Sequence, residues 1–126
     1  MSAKAFFDHI GISVREFNAC IIFYSSVLSV MGYEIVKQSE GSVGFGIGKK
    51  PEFTISSSSG TTCKNHLAFA APDRSTVDLF YAAAIRAGAV DNGAPGLRLE
   101  YHSNYYGAFV LDPDGNNVEA VCHQAQ

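Results

Sequence analysis

Two segments of the sequence share one alternating pattern, and each of them begins with a histidine. HIGISV begins at His9, and HLAFAA begins at His66. Side chains alternate between the two faces of a β-strand, so each segment predicts a strand with apolar residues on one face and its histidine on the other. A helical pattern of similar length follows each strand. An internal repeat of this kind predicts two copies of one supersecondary unit.

The segment FVLDPDGNNVEAV, residues 109–121, predicts a hairpin near the end of the second copy. Its DPDGN run consists of turn formers, because Pro fixes φ, Gly permits positive φ, and Asp and Asn bond to nearby backbone. In the second strand of the hairpin, Val118, Ala120 and Cys122 share an apolar face that helices would cover. Glu119 is on the opposite face, in the middle of a strand, where a carboxylate requires a partner.

Hydrophobic periodicity and turn residues predict the same element order in both copies: a strand, a helix and three strands. The two units cover residues of about 5–57 and 63–123, joined by a serine-rich stretch that predicts a flexible linker. The second unit follows this element order less clearly than the first. Residues 89–90 begin a short strand, and residues 93–104 are too irregular for a strand assignment at both ends.

Composition excludes several classes of function. A chain of 126 residues predicts a single domain, and a formal net charge of −3 gives no electrostatic reason to bind nucleic acid or an anionic membrane. No apolar run approaches the length of a membrane span. Three cysteines, an odd number without a CxxC pair, predict free thiols and a cytoplasmic location. Cys20 and Cys122 are expected to be buried.

With two strand histidines, a doubled β-α-β-β-β unit and a DPDG segment followed by Glu119, the chain resembles the vicinal oxygen chelate superfamily. That superfamily includes glyoxalase I, bleomycin-resistance proteins and extradiol dioxygenases. The resemblance implies an α+β fold in which the sheets of both units curl around one cup and the helices lie outside. It also implies a homodimer. Because one scaffold hosts many reactions, the resemblance alone does not identify the reaction.

The resemblance further implies that His9, His66 and Glu119 hold one divalent metal ion, either Zn, Fe, Ni or Mn. Two imidazoles and a carboxylate on a rigid sheet suit such an ion and leave positions open for water or substrate. The alternative is that both histidines belong to the core and that Glu119 is solvated. The metal site is favoured because the three residues occupy matching faces of repeated units.

Three positions depart from the relatives. The fourth ligand of glyoxalase I corresponds to Thr54 here, with Glu52 as a possible substitute. The arginine that glyoxalase I uses for a glutathione carboxylate corresponds to Ser13. The acid–base tyrosine of extradiol enzymes corresponds to Phe109. These departures argue against a strict lactoylglutathione lyase and against ring cleavage.

The stretch RLEYHSNYY, residues 98–106, concentrates aromatic and titratable side chains. Phenol and imidazole groups line small-molecule sites and move protons. His102 is therefore predicted to act in proton transfer together with Glu119. Tyr101, Tyr105 and Tyr106 are predicted to bind substrate, along with Thr54 and Phe109, although alternation allows only one of Tyr105 and Tyr106 to face the cup.

These observations predict a metal-dependent enzyme with lyase, isomerase or epimerase chemistry on a small oxygenated molecule. The first alternative is a non-catalytic protein that sequesters an aromatic ligand, for which Phe45 and the tyrosines would form the site. Extradiol dioxygenase chemistry is the weaker alternative.

Overall fold

The computed structural model describes residues 6–125, and its elements follow the predicted order. The first five elements are β1 Ile10–Val14, α1 Phe17–Ser29, β2 Glu34–Ser39, β3 Ser42–Gly46 and β4 Phe53–Ser57. The last five are β5 His66–Ala70, α2 Arg74–Arg86, β6 Val90–Leu97, β7 Tyr106–Leu111 and β8 Asn117–Cys122. The first residue of the predicted opening strand, at position 5, lies outside the described residues.

Each unit forms one four-stranded mixed sheet. The strand orders are β1-β4-β3-β2 and β5-β8-β7-β6, so the two sheets have the same topology. In each sheet the first and last strands pair in parallel, and the remaining pairs are antiparallel. The predicted α+β fold of two β-α-β-β-β units is confirmed.

The strand β6 is longer than the sequence predicted. It extends over eight residues to Leu97 and pairs with β7 through a ladder that shifts register between Asp91 and Gly93 and again between Gly93 and Gly96. Two glycines and a proline in this stretch weaken the periodic signal of a strand. The prediction of an irregular segment was therefore wrong for its first half.

The helices and sheets share one apolar core. Helix α1 buries Cys20, Phe23, Tyr24, Val27 and Leu28, and α1 packs against α2. Across the two units, the ring of Phe53 meets the ring of Phe69 edge-on, with 5.4 Å between centroids. Cys20 and Cys122 are buried, as predicted, whereas Cys63 is exposed.

The DPDG turn of the second unit bonds directly to the first unit. The Asp114 carboxylate accepts hydrogen bonds from the backbone N–H groups of Arg15 and Glu16, which lead into α1. The buried Asp112 carboxylate accepts from the Tyr24 hydroxyl within α1. Gly115 has φ of 85°, a conformation that the turn requires and that glycine adopts without strain. The turn therefore joins the units as well as the strands.

No helix within residues 6–125 is long and apolar enough to cross a membrane.

Candidate functional site

Glu119 is the most deeply buried acidic side chain of the described residues, with 1% of its surface exposed. It lies in the middle of β8, opposite Ala68 of β5 and Phe109 of β7. Cross-strand partners share a face, so these residues lie on the face of the second sheet that is opposite α2. This face, which also carries His66, is called the site face below. A buried carboxylate here requires hydrogen-bond donors.

Two side chains contact the Glu119 carboxylate. The Tyr105 hydroxyl donates to Oε2, and Nε2 of His66 lies 3.2 Å from Oε1. Small neighbours make room for this arrangement. A Cβ atom at Gly107 would lie 3.2 Å from Oε2 of Glu119 and 3.3 Å from a ring carbon of Tyr105. Two of the three predicted metal ligands, Glu119 and His66, are therefore in direct contact.

Contacts at the other ring nitrogen, Nδ1, and at the ring face fix the orientation of His66. Nδ1 lies 3.2 Å from the Asn117 carbonyl oxygen, and the ring stacks on Phe109 with 6.3 Å between centroids. An Nδ1–H group that donates to a carbonyl leaves the Nε2 lone pair facing Oε1 of Glu119. A proton or a cation between these two atoms would satisfy both acceptors.

Tyr105 remains a proton donor at neutral pH. Burial raises the pKa of its phenol, and the hydrogen bond to Glu119 raises it further. The Tyr101 ring packs against it, with 4.7 Å between centroids. Of the two adjacent tyrosines, Tyr105 is thus the one on the site face.

Tyr106 points to the other side of β7. Its hydroxyl donates to Asp78 of α2 at 2.7 Å, and the Arg74 guanidinium lies over its ring. This position is on the helix side, away from Glu119. Strand alternation anticipated that only one of the two tyrosines would face the site but did not identify which one.

His102 lies in the loop before β7 and contacts His123, which no sequence motif marked as a site residue. Nε2 of His102 lies 2.8 Å from Nδ1 of His123, and both rings meet the Tyr105 ring edge-on. The Asn104 N–H donates to Nδ1 of His102. His102 therefore carries its proton on Nε2 and donates it to His123. Both ring nitrogens of His102 thus have hydrogen-bond partners. The two imidazole rings pack against the ring of Tyr105 and support it.

The first sheet contributes His9 and Thr54. His9 precedes β1, is largely exposed, and has Nδ1 at 2.8 Å from Asp8. Asp8 also accepts from Lys50, and the hydrogen bonds from His9 and Lys50 lower its pKa. Thr54 is half-buried in β4 opposite Gly11 and Gly44.

A cavity of about 400 Å³ brings the two predicted histidine ligands onto one wall. It lies where the segment before β1, the start of β4 and strand β5 meet. His9, Glu52 and His66 are among its lining residues, whereas Glu119 and Thr54 are not. The cavity and the Glu119 pair are therefore joined through His66.

The residues fit a divalent ion in part. Nε2 of His66 and Oε1 of Glu119 are a nitrogen and an oxygen donor directed at the same point, which suits a metal. Within residues 6–125, however, no three His, Cys, Asp or Glu side chains are grouped closely enough to hold one. One chain thus brings together two of the three predicted ligands, and His9 does not join them.

Comparison with known families agrees with this fold. Residues 6–120 match the family described as the Glyoxalase/Bleomycin resistance protein/Dioxygenase superfamily. The chain belongs to this superfamily. The search of curated proteins found no relative.

Solved structures of superfamily members superpose over nearly the whole chain. A glyoxalase/bleomycin resistance protein from Albidiferax ferrireducens T118 has 25% identity and a TM-score of 0.80, covering 95% of this chain and 100% of its own. A glyoxalase/bleomycin resistance protein/dioxygenase family enzyme from Burkholderia phytofirmans PsJN has 25% identity and a TM-score of 0.71, again covering 95% of this chain and 100% of its own. The lactoylglutathione lyase from Agrobacterium tumefaciens has 19% identity, a TM-score of 0.68, and coverage of 97% and 96%, which indicates a shared fold alone.

Proposed function

We propose that this superfamily member is a metal-dependent enzyme that performs isomerase, epimerase or lyase chemistry on a small oxygenated molecule. The observation that supports this most is the fully buried Glu119 carboxylate, held between the Tyr105 hydroxyl and the His66 imidazole. A carboxylate is rarely buried this deeply unless its environment supplies hydrogen-bond donors or a cation.

His66 and Glu119 would hold the ion, and His9 is the proposed third ligand. A divalent ion bound there would polarise substrate oxygens as a Lewis acid. Both histidines have Nδ1 next to an oxygen acceptor, Asp8 for His9 and the Asn117 carbonyl for His66. This leaves both Nε2 atoms as donors to a metal, the usual arrangement for ligating histidines.

The protein groups would supply orientation and proton transfer. Tyr105 fixes Oε2 of Glu119, so Oε1, which faces Nε2 of His66, is the oxygen that would bind an ion or accept a proton. Phe109 packs on the His66 ring and limits access of water from that side. His102, with His123, supports Tyr105 from behind, which is the role that its contacts favour.

We also propose a homodimer, in which a second copy brings the first-unit residues close to the second-unit pair. The support is that the described part of one chain groups only two of the three predicted ligands. A cytoplasmic location remains part of this proposal.

Metal analysis of protein purified without chelator tests the proposed function. We expect one divalent ion per chain in the natural protein, and loss of that ion in His66→Ala and in Glu119→Gln. Glu100→Gln is the matched control, because Glu100 is exposed and lies in the loop before β7. A protein that neither contains nor takes up Zn²⁺, Fe²⁺, Ni²⁺ or Mn²⁺ would contradict the proposal.

The second proposed function is sequestration of an aromatic molecule without a metal. It is favoured by two observations: the incomplete ligand set and the aromatic cavity. Tight binding of a ligand by chelator-treated protein, with no chemical change in that ligand, would support it over the enzyme.

A further inference from the structure

The cavity beside His9 and His66 is lined mainly by rings. The rings come from both units and from the segments next to the strands: Phe7, Tyr33, Phe53 and Phe69. Ile10 and Leu67 add aliphatic surface. A volume of about 400 Å³ is within the range of natural small-molecule sites, which are typically apolar with a few polar groups.

Glu52 is the polar residue of the cavity lining to which the fold assigns no structural role. Its backbone is fixed, because its N–H donates to Phe45 and its carbonyl accepts from Ile10. Its side chain is half-buried, yet its carboxylate has no hydrogen-bond or ion-pair partner among residues 6–125. Burial raises the pKa of the Tyr33 phenol, and the negative charge of Glu52 raises it further, so the two groups are neighbours.

The carboxylate side chains that line the cavity are not matched by any described lining lysine or arginine. Asp8 and Glu52 line it, and no lysine or arginine is among its described lining residues. The nearby Lys50 is bound to Asp8 at 2.6 Å. A carboxylate or phosphate ligand would therefore meet uncompensated negative charge at Glu52, whereas a cation would neutralise it.

We propose that this cavity binds a small aromatic amine, with its ring among Phe7, Phe53 and Phe69 and its ammonium group on Glu52. The half-buried carboxylate supplies a charge-assisted hydrogen bond, and the faces of neighbouring rings attract a cation. This inference goes beyond the proposed function, because it names the class of molecule that reaches the His66 side of the site whether or not a metal is bound there.

The test compares three probes of similar size on chelator-treated protein: 2-phenylethylamine, 2-phenylethanol and 3-phenylpropanoate. Binding is measured by calorimetry and located by NMR shifts of His66 and of the Tyr33 ring. We expect the amine to bind at least about tenfold more tightly than the alcohol, since a hydrogen bond to a charged group contributes that much. The acid should bind most weakly.

The variant Glu52→Gln should reduce affinity for the amine to that for the alcohol, and affinity for the alcohol should not change. Glu100→Gln, on an exposed loop of the other unit, should leave all three affinities unchanged, and thermal unfolding checks that each variant is folded. Equal binding of the three probes, preference for the acid, no binding of the amine, or an unchanged amine affinity in Glu52→Gln would overturn the inference.

The two proposals fail separately. Stripped protein that binds the amine supports the cavity inference even if no metal is ever found. Protein that binds one metal ion through His66 and Glu119 but ignores the amine supports the enzyme and removes the inference.

Discussion

At the scale of single residues, the unusual feature is the environment of the Glu119 carboxylate. Its two oxygens have different partners, Tyr105 on Oε2 and His66 on Oε1, and its side chain has almost no contact with solvent. Removing one donor from a buried carboxylate costs more free energy than breaking an exposed hydrogen bond, because the acceptor is left without water. Tyr105 and Tyr106 allow this difference to be measured in adjacent residues.

We expect Tyr105→Phe to lower the free energy of unfolding by about 1–3 kcal/mol, the usual cost of leaving a buried polar group unsatisfied. Tyr106→Phe is the control, because it removes a hydrogen bond to the exposed Asp78 and should cost less than about 1 kcal/mol. Urea denaturation followed by circular dichroism measures both. Equal losses would show that the Tyr105 hydroxyl is not needed to hold the Glu119 carboxylate.

Strand alternation explains which site residues could be predicted from the sequence. It placed His66 and Glu119 on one face correctly, because a period of two needs only local pattern. It could not choose between Tyr105 and Tyr106, since that choice depends on where β7 begins. His123 was missed because its contact with His102 joins a loop to the C-terminal tail, a proximity that no sequence period encodes.

At the scale of elements, the DPDG turn has a role beyond reversing the chain. Asp114 accepts from the backbone N–H groups of Arg15 and Glu16 at 2.9 and 2.8 Å, just before α1, a helix that has no side-chain cap of its own. Helix α2 differs, because its own Asp73 accepts from Thr76. Helix α2 is therefore capped from within its own unit, whereas the segment that leads into α1 is held by a carboxylate of the opposite unit.

We expect Asp114→Ala to destabilise the protein by about 1–3 kcal/mol, because two backbone donors lose a charged acceptor. Asp114→Asn keeps an acceptor oxygen and should cost clearly less. Asp73→Ala serves as a comparison within one unit, with a loss of about 0.5–2 kcal/mol typical of a helix cap. Thermal unfolding of the three variants measures these differences. An Asn variant as unstable as the Ala variant would contradict the role of Asp114 as an acceptor for this backbone.

The strands also show how far a local sequence pattern can predict secondary structure. Most of the strands were anticipated close to their observed positions, because alternation and turn residues mark them. The opening strand is shorter than predicted: β1 begins at Ile10, so His9 precedes it. In β6 the register shifts twice within eight residues, so no alternation persists long enough to be recognised. Pairing with β7 stabilises that strand, and pairing is not visible in one segment of sequence.

At the scale of the whole molecule, the two units are similar in topology but not independent. Three kinds of contact cross between them: α1 packs on α2, Phe53 meets Phe69, and the DPDG turn bonds to the start of α1. Each unit alone has about half the length of the chain, and domains of that size are marginal without extra support. The shared core therefore supplies stability that neither unit would have by itself.

This predicts that the chain unfolds in one cooperative transition, although its sequence is a repeat. The protein contains no tryptophan, so Phe17→Trp in α1 and Tyr81→Trp in α2, at partly buried positions, give one fluorescent reporter for each unit. In urea, the two reporters and the circular dichroism of each variant should give coincident midpoints, as two-state unfolding requires. A lower midpoint for one reporter, with a second transition in the dichroism of the same variant, would show that the units unfold separately. The contacts of the DPDG turn would then be too weak to couple them.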